Sequence, residues 1–231
     1  MSDIQKYSIL VAGGSGSRMG SAVPKQFLLL KDKPILVHTI ERFLELPDNQ
    51  IILVLPAAEI EYWNREIITQ KAGESLLKDL HRIKVVEGGA SRFQSVRNGL
   101  GAIPAEKGLV AIHDGVRPII SLEIIRKSFE EALNHKAVVV SVLLKDSARV
   151  VDDNGGNKAI DRSRIRLMQT PQTFDLELIK AAFVTEEQSF FTDDASVVEH
   201  YGFPVKLIEG DYQNIKITTP EDLKIAEAFL T

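Results

Sequence analysis

Near its N-terminal end the chain reads Tyr7-Ser8-Ile9-Leu10-Val11-Ala12-Gly13-Gly14-Ser15-Gly16-Ser17-Arg18-Met19-Gly20, followed shortly by Pro24-Lys25-Gln26-Phe27. The apolar run Tyr7–Val11 is typical of a buried first strand. The glycines after it allow positive φ and close approach of the backbone to a ligand, so successive N–H groups can converge on phosphate oxygens. Arg18 and Lys25 add the positive charge that phosphate chemistry needs. This combination indicates an enzyme that acts on a nucleoside triphosphate.

Two common nucleotide-binding motifs do not fit this loop. A P-loop requires Gly-Lys followed by Ser or Thr, whereas this loop ends in Arg18-Met19-Gly20. The dinucleotide fingerprint can be laid on Gly14 and Gly16, but Met19 stands where its third glycine belongs. An acidic residue at the end of a second strand, about 20 residues further on, is also missing. A purely structural glycine turn stays open as the alternative.

Strand-like apolar runs alternate with helical patterns along most of the chain. The predicted strands are Ser8–Ala12, Gln50–Leu55, Ile83–Val86, Leu109–His113, Ala137–Leu143 and Val205–Glu209. The predicted helices are Pro34–Leu46, Glu59–Lys71, Ser91–Ile103, Leu122–Asn134, Leu176–Phe183 and Pro220–Leu230, the last capped by Thr219. The alternation predicts an α/β fold, a mostly parallel twisted sheet with helices on both faces and ligands at the carboxyl ends of the strands. We expect residues 1–231 to form a single domain.

Composition narrows the class of protein further. The 231 residues carry a formal net charge of −4, which argues against a nucleic-acid-binding protein because such proteins have a basic face. The absence of cysteine excludes disulfides and thiolate metal sites and fits a reducing compartment. No signal-peptide core is present, and no apolar run approaches the ~20 residues of a membrane span. We expect a soluble, cytoplasmic protein with neither a membrane nor a nucleic acid as partner.

The segment 145–170 breaks the alternation because it is largely polar. At its centre, Asp152-Asp153-Asn154-Gly155-Gly156-Asn157 carries a strong hairpin-turn signal, and Ala148–Val151 and Lys158–Ile160 can form two short strands beside it. An insertion this polar gains little from burial within its own domain. It is either a mobile surface hairpin or an arm that docks on a second subunit, and composition leaves both open.

A second glycine turn follows the predicted strand that ends at Val86. The segment Glu87–Leu100 repeats the strand–glycine–helix arrangement, with Ser91 as a good N-cap and Ser95 one turn inside the helix. Free N–H groups at this helix start could hold an anion or a base edge. A tight strand-to-helix turn with no ligand explains the same residues.

Further polar residues stand beside later apolar runs. Asp114, at a strand end, can take a divalent cation or a sugar hydroxyl, and Arg117 offers a planar fork for phosphate or for Asp114 itself. His113 has no second ligand nearby in sequence, so we interpret it as structural. Thr192 is interpreted as a helix cap. Lys216, between two isoleucines, is expected on the exposed side of a strand.

Together these segments resemble the 2-C-methyl-D-erythritol 4-phosphate cytidylyltransferases of the non-mevalonate isoprenoid pathway. The resemblance runs in order over nearly the whole chain. The segments that carry it are Ala12–Gly20, Pro24–Phe27, Gly88–Arg92, Ser95-Val96, His113–Pro118, Thr170–Gln172, Thr192–Ser196 and Asn214–Leu223. It implies a Rossmann-like nucleotidyltransferase fold and transfer of CMP from CTP, with Mg²⁺ on the triphosphate, to a polyol phosphate with loss of pyrophosphate.

The resemblance also implies roles for individual residues. Arg18 and Lys25 match the pair that stabilises the crowded α-phosphate, and Arg162 and Lys216 complete the catalytic set. The residues expected to contact CTP are Ala12, Gly13, Gly14, Gly16, Gly89, Ala90 and Ser95. Those expected to contact the polyol phosphate are Asp114, Arg117, Ser147, Thr170 and Thr192, with Asp114 also the candidate Mg²⁺ ligand.

The polar hairpin gains a meaning from the resemblance. In the family it is an arm exchanged between two subunits, which implies a homodimer. Ser147 and Arg162 match the positions that reach the neighbour's polyol phosphate. Arg164 and Arg166 lie so close to Arg162 in sequence that the register of this match stays open.

The chain departs from the family pattern at a few positions. Members often carry Ala-Ala-Gly where this chain has Ala12-Gly13-Gly14, Ala-Ala where it has Gly115-Val116, and Thr where it has Ser147. These exchanges keep the side chains small and the charges in place, so the chemistry should survive. They leave ribitol 5-phosphate open as an acceptor, because ribitol 5-phosphate cytidylyltransferases share the fold and often show Ala-Gly-Gly.

Two alternatives come from other functional classes. The first is a catalytically silent nucleotide-binding module on the same fold. Retention of Arg18, Lys25, Asp114 and Lys216 together argues against it, since a silent relative has no physical need for all four. The second is a dehydrogenase, which failure to bind NAD would exclude.

Overall fold

A computed structural model describes residues 4–13, 23–71 and 73–230 of the protein. Within these ranges it contains eleven strands. They are β1 (Lys6–Val11), β2 (Leu29–Leu30), β3 (Lys33–Pro34), β4 (Asn49–Leu55), β5 (Ile83–Glu87), β6 (Leu109–Asp114), β7 (Ala137–Leu143), β8 (Arg149–Val151), β9 (Asn157–Ala159), β10 (Arg166–Asp175) and β11 (Lys206–Glu209). Seven of them form the central sheet in the order β11-β7-β10-β6-β1-β4-β5. The pairs β2–β3 and β8–β9 form separate hairpins.

The helices confirm the predicted alternation. They are α1 (Ile35–Leu44), α2 (Ala57–Tyr62), α3 (Glu74–Lys78), α4 (Arg92–Gly101), α5 (Leu122–His135), α6 (Leu176–Ala182), α7 (Asp194–His200) and α8 (Pro220–Phe229). The predicted helix 59–71 is instead α2 followed by a π-helix, Trp63–Lys71, a difference that apolar spacing cannot reveal because both helix types present one face. Within the described ranges, no helix is long and apolar enough to cross a membrane.

The central sheet is mostly parallel, as predicted, but its one antiparallel strand is not in the sequence prediction. Strand β10 runs antiparallel between β6 and β7. It begins at Arg166, so residues 166–170 of the predicted arm segment belong to the central sheet. The strand was hidden because buried polar residues, Gln169, Gln172 and Thr173 among them, take the place of an apolar run.

Helices cover both faces of the sheet because side chains alternate along each strand. In β1, Leu10 points into the core shared with α1 and α5, where it joins Phe43 and Phe129. Its neighbour Ile9 points to the opposite face and joins the core under α4 and α6. The long apolar strands therefore carry two cores, as a parallel sheet requires.

One edge of the sheet collects the loops that matter for function. The parallel register places Val11 opposite both Val54 and Asp114, so β1, β4 and β6 end side by side. Strand β10 starts at this edge, since Arg166 pairs with Leu143 at the end of β7. The predicted ligand position, at the carboxyl ends of the strands, is thus where the polar loops converge.

The predicted hairpin is present as β8 and β9. Each of their residues is exposed. The turn is tightened by the Asp152 carboxylate, whose Oδ1 accepts hydrogen bonds from the backbone N–H groups of Asn154 and Gly156, both at 2.9 Å. Gly155 has φ of +80°, a conformation that favours glycine.

Candidate active site

A cavity of about 250 Å³ lies at the carboxyl edge of the sheet. We call it the glycine pocket, and its lining includes Gly13, Pro56, Gly88, Gly89, Ala90 and Ser95. A Cβ on Gly89 would stand 2.3 Å from Gln94 Cβ, so only glycine fits there. Four of the residues predicted to contact CTP, namely Gly13, Gly89, Ala90 and Ser95, are brought together in this pocket.

The start of α4 forms one wall of the glycine pocket. Ser91 is its N-cap, as predicted, and its side chain accepts a hydrogen bond from Gln94 N. The amides expected to be free are not: Gly89 N donates to Ser95 Oγ at 3.1 Å, and Ala90 N donates to Gln94 Oε1 at 3.1 Å. Side chains take these donors because they lie within one helical turn of them, so a ligand here would have to replace or share these bonds.

A second, smaller cavity of about 80 Å³ adjoins the glycine pocket. We call it the charged pocket, because Lys25, Arg92, Asp114 and Lys216 line it. Gly13 and Arg92 line both cavities. Residues from four distant parts of the sequence therefore form one continuous site, and its cationic side chains outnumber the acidic one.

Asp114 is the anionic centre of the charged pocket. Its carboxylate lies 3.1 Å from Lys216 Nζ, 3.2 Å from Arg117 Nε and 3.7 Å from Arg92 Nε. Burial by itself raises the pKa of this carboxyl, but the three surrounding cations outweigh it and hold the pKa well below its usual range. Asp114 is therefore ionised and can orient both Lys216 and Arg117.

Thr170 and Asn214 hold the loops around Asp114. Thr170 Oγ1 accepts a hydrogen bond from Asp114 N at 3.1 Å, and Asn214 Nδ2 donates to Thr170 O at 2.8 Å. Arg117 Nη1 donates to Asn214 O at 2.8 Å. Lys216 lies outside any strand, contrary to prediction, in the loop between β11 and α8. These bonds bring the end of β6 and the middle of β10 against that loop.

Lys25 is placed by its two neighbours in a short 3₁₀ turn, Lys25–Phe27. Gln26 is fully buried and donates from Nε2 to Ala12 O at 2.8 Å. Phe27 is also buried and packs on Tyr62, with ring centroids 4.9 Å apart. Because both anchors point inward, Lys25 is directed to the charged pocket, which Ala12 and Gly13 also line.

The predicted residues of the arm do not line either cavity of their own chain. Ser147 and Arg162 are exposed, and Arg162 donates to Lys145 O across the base of the arm. Arg166 belongs to the sheet instead, with Nε donating to Ser141 Oγ at 2.9 Å and an ion pair to Glu209. Arg166 is thus bound to its own sheet, whereas Arg162 and Arg164 are exposed, and the role of Arg162 stays a prediction.

The remaining predicted positions are Thr192, Ala12, Gly14, Gly16 and Arg18. Thr192 is exposed, and the N-cap of α7 is Asp193, so its predicted capping role is wrong. Asp193 takes the N-cap position because its carboxylate accepts a hydrogen bond from Ser196 N in a reciprocal capping box. Ala12 lines the charged pocket. Gly14, Gly16 and Arg18 lie outside the described residues.

His113 is structural, as interpreted from the sequence. It is fully buried, its Nε2 lies 3.2 Å from Arg117 O, and its ring packs at a tilt against Phe43 with centroids 4.8 Å apart. Burial lowers the pKa of His113 to about 3. The ring is therefore neutral at physiological pH, and it supports the loop that carries Arg117.

This buried histidine makes the stability of the protein depend on pH. The unfolded chain takes up a proton below about pH 6.5, whereas the folded protein does so only near pH 3. The free energy of unfolding should therefore fall with decreasing pH, by about 1.4 kcal/mol per unit once the pH is well below 6.5. Urea unfolding at several values between about pH 5 and 6.5 measures this slope.

The matched control is His113→Gln. The variant is expected to be less stable than the wild type at all pH values. Its free energy of unfolding should also depend less steeply on pH, because the uptake of one proton on unfolding is lost. His38, whose pKa burial also lowers, and the carboxyl groups contribute equally to the pH dependence of both proteins. An unchanged slope in the variant would contradict the assignment.

Sequence reasoning missed the partner of Arg92. Its guanidinium donates to both carboxylate oxygens of Asp194, with distances of 2.9 and 2.7 Å. The two residues are 102 positions apart, so no local pattern joins them. The signal in the sequence was the pair Asp193-Asp194 at the start of α7. Capping needs only Asp193, so Asp194 is available for another partner.

Comparisons with known proteins agree with this geometry. The sequence model of the 2-C-methyl-D-erythritol 4-phosphate cytidylyltransferase family matches residues 7–231. A protein of that name from Bacteroides thetaiotaomicron is 48% identical over 223 residues, covering 96% of this chain and 98% of its own. One from Porphyromonas gingivalis is 46% identical over 228 residues, covering 98% of both chains.

Solved structures of proteins from this family superpose on the chain. The 4-diphosphocytidyl-2C-methyl-D-erythritol synthase of Anaerococcus prevotii superposes with a TM-score of 0.80 at 30% identity, covering 98% of both chains. The 2-C-methyl-D-erythritol 4-phosphate cytidylyltransferase of Francisella tularensis gives 0.76 at 30% identity, covering 97% of this chain and 99% of its own. With the glycine and charged pockets in place at the sheet edge, the chain belongs to the 2-C-methyl-D-erythritol 4-phosphate cytidylyltransferase family, enzymes of the nucleotidyltransferase class.

Proposed function

We propose that this protein transfers CMP from CTP to 2-C-methyl-D-erythritol 4-phosphate. An oxygen of the acceptor phosphate attacks the α-phosphorus of CTP, the bond to the bridging oxygen breaks, and pyrophosphate leaves. The observation that carries the proposal is the charged pocket, which adjoins the glycine pocket and shares Gly13 and Arg92 with it. Family membership supplies the identity of both substrates.

The geometry suits this reaction because little proton transfer is required. The nucleophile is already an anion, so the barrier lies in bringing two negatively charged groups together in line. In our proposal the nucleoside occupies the glycine pocket and the acceptor phosphate the charged pocket. Lys25 then faces the α-phosphate, and Lys216, oriented by Asp114, faces the acceptor. Arg117 lines neither cavity, and its contact with the acceptor stays a prediction. Pre-placed cations of this kind stabilise charge as it develops.

We propose that Mg²⁺ enters with CTP as part of the substrate. Among the residues that the structure describes, no group of three or more His, Asp or Glu side chains could hold a metal ion. Asp114 already faces three cations, so these residues do not fit a resident Mg²⁺ site. Triphosphate oxygens supply the anionic ligands that Mg²⁺ needs. A bond between Asp114 and the ion stays a prediction and would require a cation to move away.

We also propose that the protein is a homodimer that exchanges its arm. The hairpin β8–β9 is fully exposed, and an isolated two-stranded hairpin is at best marginally stable in water. Exposed apolar side chains extend from the arm to the adjoining edge of the sheet, at Leu143, Val150, Val151, Leu167, Met168, Leu207 and Tyr212. A patch of this kind favours association with a second copy. Ser147 and Arg162 would then reach the partner's acceptor site.

Two coarser proposals complete the description. Residues 1–231 are proposed to act as one nucleotidyltransferase domain, with 145–170 as its arm segment, because both cores are built on the same sheet. A cytoplasmic location rests on the cysteine-free composition and on the supply of CTP there.

Pyrophosphate release tests the activity. The protein is incubated with CTP and Mg²⁺ and with methylerythritol 4-phosphate or ribitol 5-phosphate, each against a control without acceptor. We expect kcat/KM for methylerythritol 4-phosphate to exceed that for ribitol 5-phosphate at least about tenfold, because a site built around one polyol leaves polar groups unpaired with another.

The other outcomes separate the remaining hypotheses. A preference for ribitol 5-phosphate would keep the mechanism and change the acceptor. If the protein binds CTP but releases no pyrophosphate with either acceptor, the result would support the silent nucleotide-binding module. Binding of NAD would support the dehydrogenase.

A further inference from the structure

Arg92 stands at the junction of the two cavities. It is the first residue of α4, and its side chain lines both the glycine pocket and the charged pocket. Its two terminal nitrogens donate to the two oxygens of Asp194, at 2.9 and 2.7 Å. Its third nitrogen, Nε, lies 3.7 Å from Asp114 Oδ1, which is too long for a hydrogen bond. Among the described residues Nε therefore has no hydrogen-bond acceptor, although the side chain that carries it lines both cavities.

Asp194 fixes the guanidinium in this orientation. Its side chain is only 1% exposed, and it lines neither cavity. Gln172 in β10 holds the start of α7 from both sides, since its Nε2 donates to Asp193 Oδ2 and its Oε1 accepts from Ala195 N, both at 2.8 Å. A carboxylate this deeply buried is tolerated only when it is paired. The bidentate contact therefore leaves the Arg92 fork a single orientation.

We propose that Asp194 is a positioning residue, which holds Arg92 so that its Nε–H binds a phosphoryl oxygen at the junction of the two cavities. The inference rests on the proposed function and assigns it a further residue pair. The oxygen belongs either to the α-phosphate of CTP or to the phosphate of the acceptor, because the two groups meet at this point. In both cases Arg92 touches the substrate and Asp194 acts through Arg92.

The test compares Asp194→Asn, Arg92→Lys and the double variant with the wild-type protein. Asp194→Asn keeps the size of the side chain but removes the charge, and Arg92→Lys keeps the charge but removes the fork and Nε. Each single variant is expected to lower kcat/KM by about 10- to 100-fold, the worth of one charge-assisted hydrogen bond. The double variant should be no worse than the poorer single variant, because both remove the same interaction.

Separate readouts identify the source of the phosphoryl oxygen. Calorimetric binding of CTP without acceptor weakens in the variants if the α-phosphate is bound. If the acceptor phosphate is bound, the KM for the acceptor rises and binding of CTP stays unchanged. Measuring turnover of the wild-type protein first keeps the two proposals apart: a wild type without turnover refutes the proposed function, whereas the CTP-binding comparison tests Arg92 directly.

Asp79→Asn is the matched control. It also takes a carboxylate from a buried arginine, Arg82, whose Nη1 lies 3.2 Å from Asp79 Oδ1, at a place remote from both cavities. It should lower the melting temperature and leave kcat and both KM values unchanged. The proposal is overturned if Asp194→Asn behaves like this control, or if the losses of the two single variants multiply in the double variant. Should Asp194→Asn not fold, Arg92→Lys, whose side chain is 31% exposed, decides the kinetic part.

Discussion

Replacing Lys25 with alanine is expected to lower kcat by about 100- to 1,000-fold, equivalent to roughly 2.7–4 kcal/mol of barrier. The side chain lines the charged pocket together with Lys216 and Asp114. It stands where we place the α-phosphate, whose charge grows as the fifth oxygen approaches. A cation fixed in advance stabilises this transition state more than the ground state, so kcat should fall more than the affinity for CTP.

The rigidity of the turn that carries Lys25 supports an effect of this size. Gln26 and Phe27 are buried and leave the turn little freedom, so the backbone that carries the Lys25 ammonium group is held in place before the substrates bind. Steady-state kinetics with saturating CTP and acceptor measure kcat. Lys127→Ala, which removes an exposed lysine of α5, is the control and should keep wild-type activity. A loss smaller than about tenfold for Lys25→Ala would refute the transition-state role.

The second large effect concerns the arm. Heterodimers that combine one Lys25→Ala subunit with one Arg162→Ala subunit are expected to regain about half of the wild-type activity, although each homodimer is nearly inactive. If Arg162 acts in the partner's site, one site of the heterodimer carries both defects and the other carries neither. The exposure of Arg162 and its absence from the cavities of its own chain motivate this prediction.

Co-expression of the two variants with different affinity tags, followed by purification on both tags, gives the heterodimers. A heterodimer of Lys25→Ala with Lys216→Ala is the control. These two lysines line the same cavity of one chain, so neither site would be intact and activity should stay low. Absence of recovery in the first heterodimer, or a fully active monomer at micromolar concentration, would refute arm exchange.

Local features of this fold were predictable because the physics that determines them is local. Apolar runs such as Ala137–Leu143 are strands buried on both faces, which gives them a continuous pattern. The Asn154-Gly155 turn and the caps Ser91 and Thr219 depend on bonds that span only a few residues. The site could be placed at one edge of the sheet because parallel strands end together.

Longer-range features were beyond the sequence pattern. Strand β10 escaped prediction because its identity as a strand comes from pairing with β6 and β7 and not from its own polar residues. The backbone N–H groups at the start of α4 were expected to be free, and only the folded structure shows that Gly89 N donates to Ser95 and Ala90 N to Gln94.

By itself, then, the sequence determined the α/β class, the turns and caps, the hairpin and the residue types of the site. Each of these follows from neighbours within about one helical turn or one strand. The tertiary structure decided which charges meet: Asp114 with Lys216, and Arg92 with Asp194. Those pairs bring together residues about a hundred positions apart, and their strength depends on burial, which exists only once the sheet, the loops and α7 have packed together.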